Sequence, residues 1–302
     1  PIKDGTLQGD LLIKGYGDPY LLIEDLWHIA GELSRRGIRD IVGNLLIDST
    51  YFLRNTAATK PIDGDPSRLY NVVPSAVMVN FKWIDFVINP SENGKGTVIT
   101  TIPALPNLRV SNSVKLSEKP CSGNHPRIFI SLKNSKADEI KISGTLPKTC
   151  RDYVLSRTAL TPESYLYGLF KLLWKQWGGT ISGGYIDVGP NYAVSRQVFY
   201  TWKSKPLAEI IRPLNKWSNN LMARSLVYSI GGTVYGAPAT REKGIEAIKQ
   251  YISRQGISVS NLLIENGSGL SRSTRATASL INDIFRRAWS SPNMPEFVAS
   301  LS

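Results

Sequence analysis

Apolar positions change period along the chain. Leu11-Leu12-Ile13 is a short apolar run, Glu24 to Arg36 carries Leu26, Ile29, Ala30 and Leu33 on one helical face, and Ile41 to Ile47 is strand-like again, which predicts a strand-helix-strand unit. Gly15, Gly17, Asp18 and Pro19 punctuate its first turn, and Gly37 stands where a left-handed cap would stop the helix. From Tyr51 to about Thr149 the pattern is strands and turns, with strands predicted over Ala76 to Asn80, Trp83 to Ile88, Thr97 to Ile102, Arg127 to Ile130 and Glu139 to Ile142. At Thr161-Pro162-Glu163 the helical period returns: Thr suits the cap, Pro the first helical position, and Leu166, Leu169, Phe170, Leu173 and Trp177 recur until Gly178-Gly179. Helices then dominate. Ser204 is placed to cap one from Lys205 that Pro213 bends or ends. A second starts close to Ser218 and runs through Leu221, Met222, Leu226 and Val227. Thr240 caps a third, with Ile245, Ile248 and Ile252 inward and Gly256 near its end. A strand at Leu262-Leu263-Ile264 leads into a Gly267-Ser268-Gly269 turn, and a last helix carries Leu280, Ile281, Ile284 and Phe285. No internal repeat is evident. The pattern predicts an α+β chain with a domain boundary near 150 to 160.

At 302 residues the chain is long enough for two or three compact domains. No apolar run approaches the roughly 20 residues that span a bilayer, and a start at Pro1 leaves room for a signal peptide upstream. The net charge of +12 fits an anionic partner. Lys and Arg are scattered in ones and twos, without the basic stripe that nucleic-acid binding needs, so nucleic acid falls well behind a carboxylate-rich bacterial wall, with an acidic membrane surface as the other anionic candidate. Gly15-Tyr16-Gly17 lacks the third glycine of a dinucleotide fingerprint, and no cofactor is expected. Two histidines, His28 and His125, and two cysteines give no zinc-ligand set. Cys121 and Cys150 flank strand-like runs, as a disulfide closing a β-rich excursion would; two free thiols are the alternative.

Ser218-Asn219-Asn220, taken alone, reads as a serine before a helix. Its context is more specific: Leu214-Asn215-Lys216-Trp217 precedes it, and Glu265-Asn266-Gly267-Ser268-Gly269-Leu270-Ser271-Arg272 follows some forty positions later. These residues resemble the class C low-molecular-mass penicillin-binding proteins, the family of D-alanyl-D-alanine carboxypeptidases and endopeptidases. Leu7-Gln8-Gly9-Asp10-Leu11, Gly15-Tyr16-Gly17-Asp18-Pro19, Gly43-Asn44-Leu45-Leu46-Ile47-Asp48, Pro74-Ser75-Ala76 and Ser143-Gly144-Thr145-Leu146-Pro147 continue the resemblance in order, nearly end to end.

The resemblance implies a penicillin-binding, serine β-lactamase-like catalytic domain, an antiparallel sheet with helices, represented in part by residues 156–302. Residues 1–155 would be an inserted accessory region of two sub-domains. It also implies a serine nucleophile with lysine in Ser-x-x-Lys, a Ser-x-Asn motif and a Lys-Thr-Gly strand. The nucleophile attacks the bond between two D-alanines of a peptidoglycan stem peptide to form an acyl-enzyme, and β-lactams trap it there. Ser218 would relay a proton, and Asn220 would hold the substrate amide and the lysine. Ser268, Leu270 and Arg272 would border the pocket for the end of the wall peptide, with a turn-shaping role as the alternative for Arg272. Asp65 and Tyr70 are candidate equivalents of the Asp and the aromatic residue that complete that pocket in the family, although Pro61-Ile62-Asp63-Gly64-Asp65 lacks the family's preceding tryptophans, with loop chemistry as the alternative. The setting implied is periplasmic or otherwise extracytoplasmic.

No serine in the chain has lysine three positions on, and Lys148-Thr149 is followed by Cys150. The expectation is therefore a portion of the enzyme that cannot acylate by itself, with exposed apolar surface where the rest would pack. A non-catalytic wall-binding or interaction module on the same fold is the competing reading.

Overall fold

The computed structural model describes residues 2–54, 61–133, 137–189 and 197–301. Strands β1 (Ile2–Lys3), β2 (Thr6–Leu7) and β3 (Leu11–Lys14) lead into helix α1 (Ile23–Arg35), which returns through β4 (Asp40–Ile41) to β5 (Leu45–Asp48). β3 and β5 are parallel, as the strand-helix-strand reading requires. Asp25 fixes the start of α1 by accepting from the Leu22 amide at 2.9 Å. Gly37, at φ 94°, takes the left-handed position beyond its end.

Strands β6 (Trp83–Pro90), β7 (Thr97–Ile102), β8 (Arg109–Ser117), β9 (Arg127–Leu132), β10 (Glu139–Pro147) and β11 (Tyr153–Thr158) follow. They form two three-stranded sheets, β11-β6-β7 and β8-β10-β9. Cys121 and Cys150 are joined by a disulfide, Cα atoms 5.3 Å apart, across the ends of the second sheet. Ala76 to Asn80 is not a strand. Its apolar side chains Ala76, Val77, Met78 and Val79 are buried from an irregular segment that ends in three left-handed residues, Asn80, Phe81 and Lys82. A short apolar run is buried from several directions here, so it lacks a sheet's alternation.

Helix α2 (Pro162–Gln176) starts at Thr161, whose side chain accepts from the Ser164 amide at 3.2 Å. β12 (Thr180–Ile181) then pairs with β4, and β13 (Tyr185–Val188) with β5. α2 therefore belongs with the first half. Tyr165, Phe170 and Trp174 are fully buried in one core with Leu26 and Ala30 of α1 and Phe86 of β6. The boundary drawn at 155/156 runs through this core, and the change of packing partners comes after Val188. The switch at Thr161 was a change of period, from strand to helix, and not of neighbours.

Three two-strand segments that pair in parallel, β2-β3, β4-β5 and β12-β13, also correct the reading of no repeat. Thr6 to Lys14, Asp40 to Asp48 and Thr180 to Val188 align in register, so that Leu7, Ile41 and Ile181 pair, then Leu11, Leu45 and Tyr185. Gly9, Gly43 and Gly183 hold the same place in each copy. A Cβ on Gly183 would lie 2.5 Å from the Gly43 carbonyl oxygen, so the backbones stack closer than a side chain permits.

The remaining part is helical: α3 (Leu207–Lys216), α4 (Asn220–Tyr235), α5 (Arg241–Arg254), α6 (Ala278–Trp289) and α7 (Met294–Ser300). Ser204 does not cap α3. Pro206 stands at its N-cap, and the helix runs on through Pro213 to Lys216. Thr240 caps α5 through the Lys243 amide at 3.1 Å. Leu262 to Ile264 forms only an isolated bridge between Leu263 and Arg275. α5 crosses α4 closely, because a Cβ on Gly244 would meet the Val227 carbonyl oxygen at 1.9 Å. Phe52, Ala76, Tyr228 and Ala239 form a small core joining the two halves. On α6, Ile281, Phe285 and Trp289 recur every four residues and are largely exposed, although the Phe285 ring meets that of Phe297 on α7 with centroids 5.9 Å apart. None of the described helices is long and apolar enough to cross a membrane.

Candidate functional site

Ser218 sits in the junction between α3 and α4, and two capping motifs meet on it. The Asn219 amide donates to the Leu214 carbonyl at 2.9 Å and the Ser218 amide to the Asn215 carbonyl at 3.2 Å. This is the Schellman pattern, which puts Ser218 in the left-handed position at φ 50°, where glycine is the ordinary occupant. A non-glycine residue there costs about 1 kcal/mol. α4 is capped by the next residue: the Asn219 side chain accepts from the Met222 amide at 3.0 Å. The Ser218 hydroxyl, exposed, makes no hydrogen bond among the described residues. Asn220 opens α4, with its amide 3.5 Å from the Ser218 carbonyl.

One turn on, Arg224 shares the helical face of Asn220. Its guanidinium donates to the Tyr70 carbonyl, to the Val72 carbonyl at 3.0 Å, and reaches Ser268 Oγ at 3.5 Å. This side chain ties together the loop before β6, helix α4 and the 266–270 turn. Burial pushes its pKa down.

The turn is braced by Asn266. Its side-chain oxygen accepts from the Ser268 amide and hydroxyl, each at 2.9 Å, and its amide donates to the Leu270 carbonyl at 3.0 Å. Gly267, at φ 79°, lies against Val227 of α4 so closely that a Cβ would come 2.3 Å from the Val227 methyl.

Between these parts lies a cavity of about 470 Å³. Pro61, Ile62, Asn71, Val73 and Pro74 form one wall, Arg224 and Tyr228 a second, and the segment from Glu265 to Ser273 a third, with Arg241 at the edge. Leu270 and Arg272 line it, and Ser268 adjoins it through Arg224. Asp65 and Tyr70 belong to the same loop, yet neither is among the lining residues. The Asp65 carboxylate accepts from the Ser67 amide at 2.9 Å and from Arg68 Nε at 3.1 Å. Tyr70 donates to Asp63, and that hydroxyl, with the Asn71 amide, brings Asp63 down to about 2. Ser218 and Asn220 likewise do not line the cavity, which starts one turn further along α4. Sequence reasoning missed Arg224, Arg241 and Asn71. An arginine in mid-helix carries no local sign that a loop some 150 residues earlier in sequence will bury it.

Among the described residues no cluster of three or more His, Cys, Asp or Glu could hold a metal ion.

A profile of the D-Ala-D-Ala carboxypeptidase 3 (S13) family matches residues 1–302. The chain is 28% identical over 314 residues to a D-alanyl-D-alanine carboxypeptidase of Actinomadura sp. strain R39, which covers 100% of it and 56% of that protein. It is 25% identical over 271 residues to D-alanyl-D-alanine carboxypeptidase DacB of Haemophilus influenzae, covering 90% of it and 56% of the relative. The crystal structure of penicillin binding protein 4 (DacB) from Haemophilus influenzae superposes with a TM-score of 0.81 at 23% identity, over 99% of this chain and 64% of that one, and the α+β fold is shared. The chain thus spans a little over half the length of the curated relatives it matches.

Proposed function

Because the chain belongs to the D-Ala-D-Ala carboxypeptidase 3 (S13) family, we propose that the protein is a serine D-alanyl-D-alanine carboxypeptidase or endopeptidase. It acts outside the cytoplasm on peptidoglycan stem peptides through an acyl-enzyme that β-lactams trap. The observation that carries the residue assignment is the place of Ser218. A serine occupies a left-handed position that favours glycine, while the adjacent Asn219 does the capping. Local structure asks for neither the serine nor its hydroxyl, and strain of this kind collects where function requires a particular side chain.

In this reading Ser218 carries a proton between the catalytic lysine and the leaving nitrogen. Asn220, at the start of α4, holds the substrate amide. The nucleophile and lysine come from a Ser-x-x-Lys that the 302 residues do not contain. Leu270, Arg272 and Ser268 border the subsite for the end of the peptide. The residues from Leu207 to Leu301 are the catalytic domain's share, and the sheets before them form the accessory region.

The test is acylation of the full-length protein by a fluorescent penicillin. Ser218→Ala and Asn220→Ala each slow labelling, by about 10²-fold or more for the proton relay, with unchanged melting. Wild-type rates in both variants would overturn the assignment. A full-length protein that is never labelled but binds peptidoglycan would favour the non-catalytic module.

A further inference from the structure

The outer face of the β8-β10-β9 sheet is a surface for which the proposed chemistry has no use. Alternation along the strands sends Ile140, Ile142 and Leu146 of β10, with Val114 of β8, into the large core. The positions between them face outward. Across the sheet, Lys141 stands between two serines in one row, Ser143 lies beside Phe129 in the next, and Thr145 lies between Lys115 and Arg127 in the third. No aspartate or glutamate occupies these three rows.

The acids at the margins are already paired. In the row before, Glu139 meets Lys133 at 2.9 Å, and Arg109 reaches Asp138 at 4.0 Å and Glu139 at 3.9 Å. Past the last row, Glu118 pairs with Lys148. Lys115, Arg127 and Lys141 are exposed and form no ion pair among the described residues. The spacing of strands and residues places these three cations within roughly 15 Å of one another. Phe129 stands among them, 64% exposed.

A lone exposed phenylalanine is ordinary. Set among unpaired cations on a face without acids, it completes a surface that attracts anionic groups and gains further when its ring leaves water beside them. Shape separates the possible occupants. Between the long side chains the face carries only serine and threonine, so it is open and offers no groove to grip a single polymer chain. A second copy of the same face would bring like charges together. A bilayer presents a plane of anionic groups above an apolar layer that the ring can enter.

We propose that the outer face of the β8-β10-β9 sheet docks on an anionic lipid bilayer, with Phe129 in the headgroup region and Lys115, Arg127 and Lys141 on the phosphates around it. The inference stands on the sheet alone and is independent of the proposed function.

The experiment sediments the full-length protein with vesicles of phosphatidylglycerol and phosphatidylcholine in equal parts, and with vesicles of phosphatidylcholine alone. The protein binds the anionic vesicles, binds the neutral ones about tenfold or more less tightly, and is released as salt rises. Arg127→Gln and Lys141→Gln each weaken binding about fivefold. Phe129→Ser, which leaves the charge unchanged, weakens it by about fivefold or more. Arg286→Gln, which removes an exposed cation from α6, leaves it within about twofold. Equal binding to the two kinds of vesicle, or none to the anionic ones, would overturn the proposal. So would a loss in Arg286→Gln as large as in Arg127→Gln, because net charge alone would then be responsible. A dimer that Phe129→Ser dissociates, or saturable binding of soluble polyglutamate that Arg127→Gln and Phe129→Ser weaken while vesicles stay unbound, would give the face to a second copy or to a polymer and equally overturn it. Fluorescent penicillin labels all these variants at the wild-type rate, so a failure of the acyl-enzyme reading and a failure of this one are told apart.

Discussion

In the proposed function, Asn219 caps α4 while its neighbour Ser218 is left free to act. Asn219 satisfies the first turn of α4, so Asn219→Ala costs about 1 kcal/mol. Ser218 occupies a left-handed position without using its hydroxyl locally, so Ser218→Gly gains up to about 1 kcal/mol. Urea unfolding of the two variants checks both signs, and a destabilised Ser218→Gly would mean that the hydroxyl is structural. Lys82 supplies a second residue-scale prediction. Burial, only partly offset by Glu163, lowers its pKa to about 8 from an ordinary 10.5. Below pH 8 both the folded and the unfolded chain carry the proton, and the burial penalty is fully present. Between about 8 and 10.5 the unfolded chain binds more protons, so stability rises with pH. Lys82→Met removes that rise and stabilises the protein at pH 7 by on the order of 2 kcal/mol. Parallel stability curves for wild type and Lys82→Met from pH 7 to 10.5 would contradict it.

At the scale of elements, the helices with local signals were legible. Thr161, Thr240 and Gly37 stand where caps were expected, because a cap is settled by residues within one turn. Ser204 failed for the same reason, since Pro206 nearer the helix took the position. The three-copy strand motif escaped notice because its copies share one glycine and scattered apolar positions, and only long-range pairing puts them in register. The Ser-x-Asn stretch was readable as a motif. The wall opposite Arg224 was not, because it comes from a loop with little regular structure, a single 3-10 turn over Leu69–Asn71 among its described residues. The 266–270 turn gives a measurable contrast between its two glycines. Gly269→Ala, at φ 77° with open space around it, costs about 1 kcal/mol. Gly267→Ala adds a collision with Val227 and costs about 2–4 kcal/mol. Equal losses in thermal unfolding would mean that the turn does not pack on α4 as described.

At the scale of the molecule, the described residues between 2 and 189 build a framework of small sheets with helices α1 and α2 around one large core, and the helical part from Leu207 onward brings the Ser218 junction and the cavity against it. The two meet through Arg224 and the core of Phe52, Ala76, Tyr228 and Ala239. The central claim is that these residues carry the assisting and recognising parts of a penicillin-sensitive site and not its nucleophile. Incubating the 302-residue chain and the full-length protein side by side with fluorescent penicillin, then mapping the labelled serine by mass spectrometry, tests it most directly. The account predicts label on the full-length protein at a serine outside these residues and none on the chain alone; covalent label on any serine from Ser34 to Ser302 would contradict it.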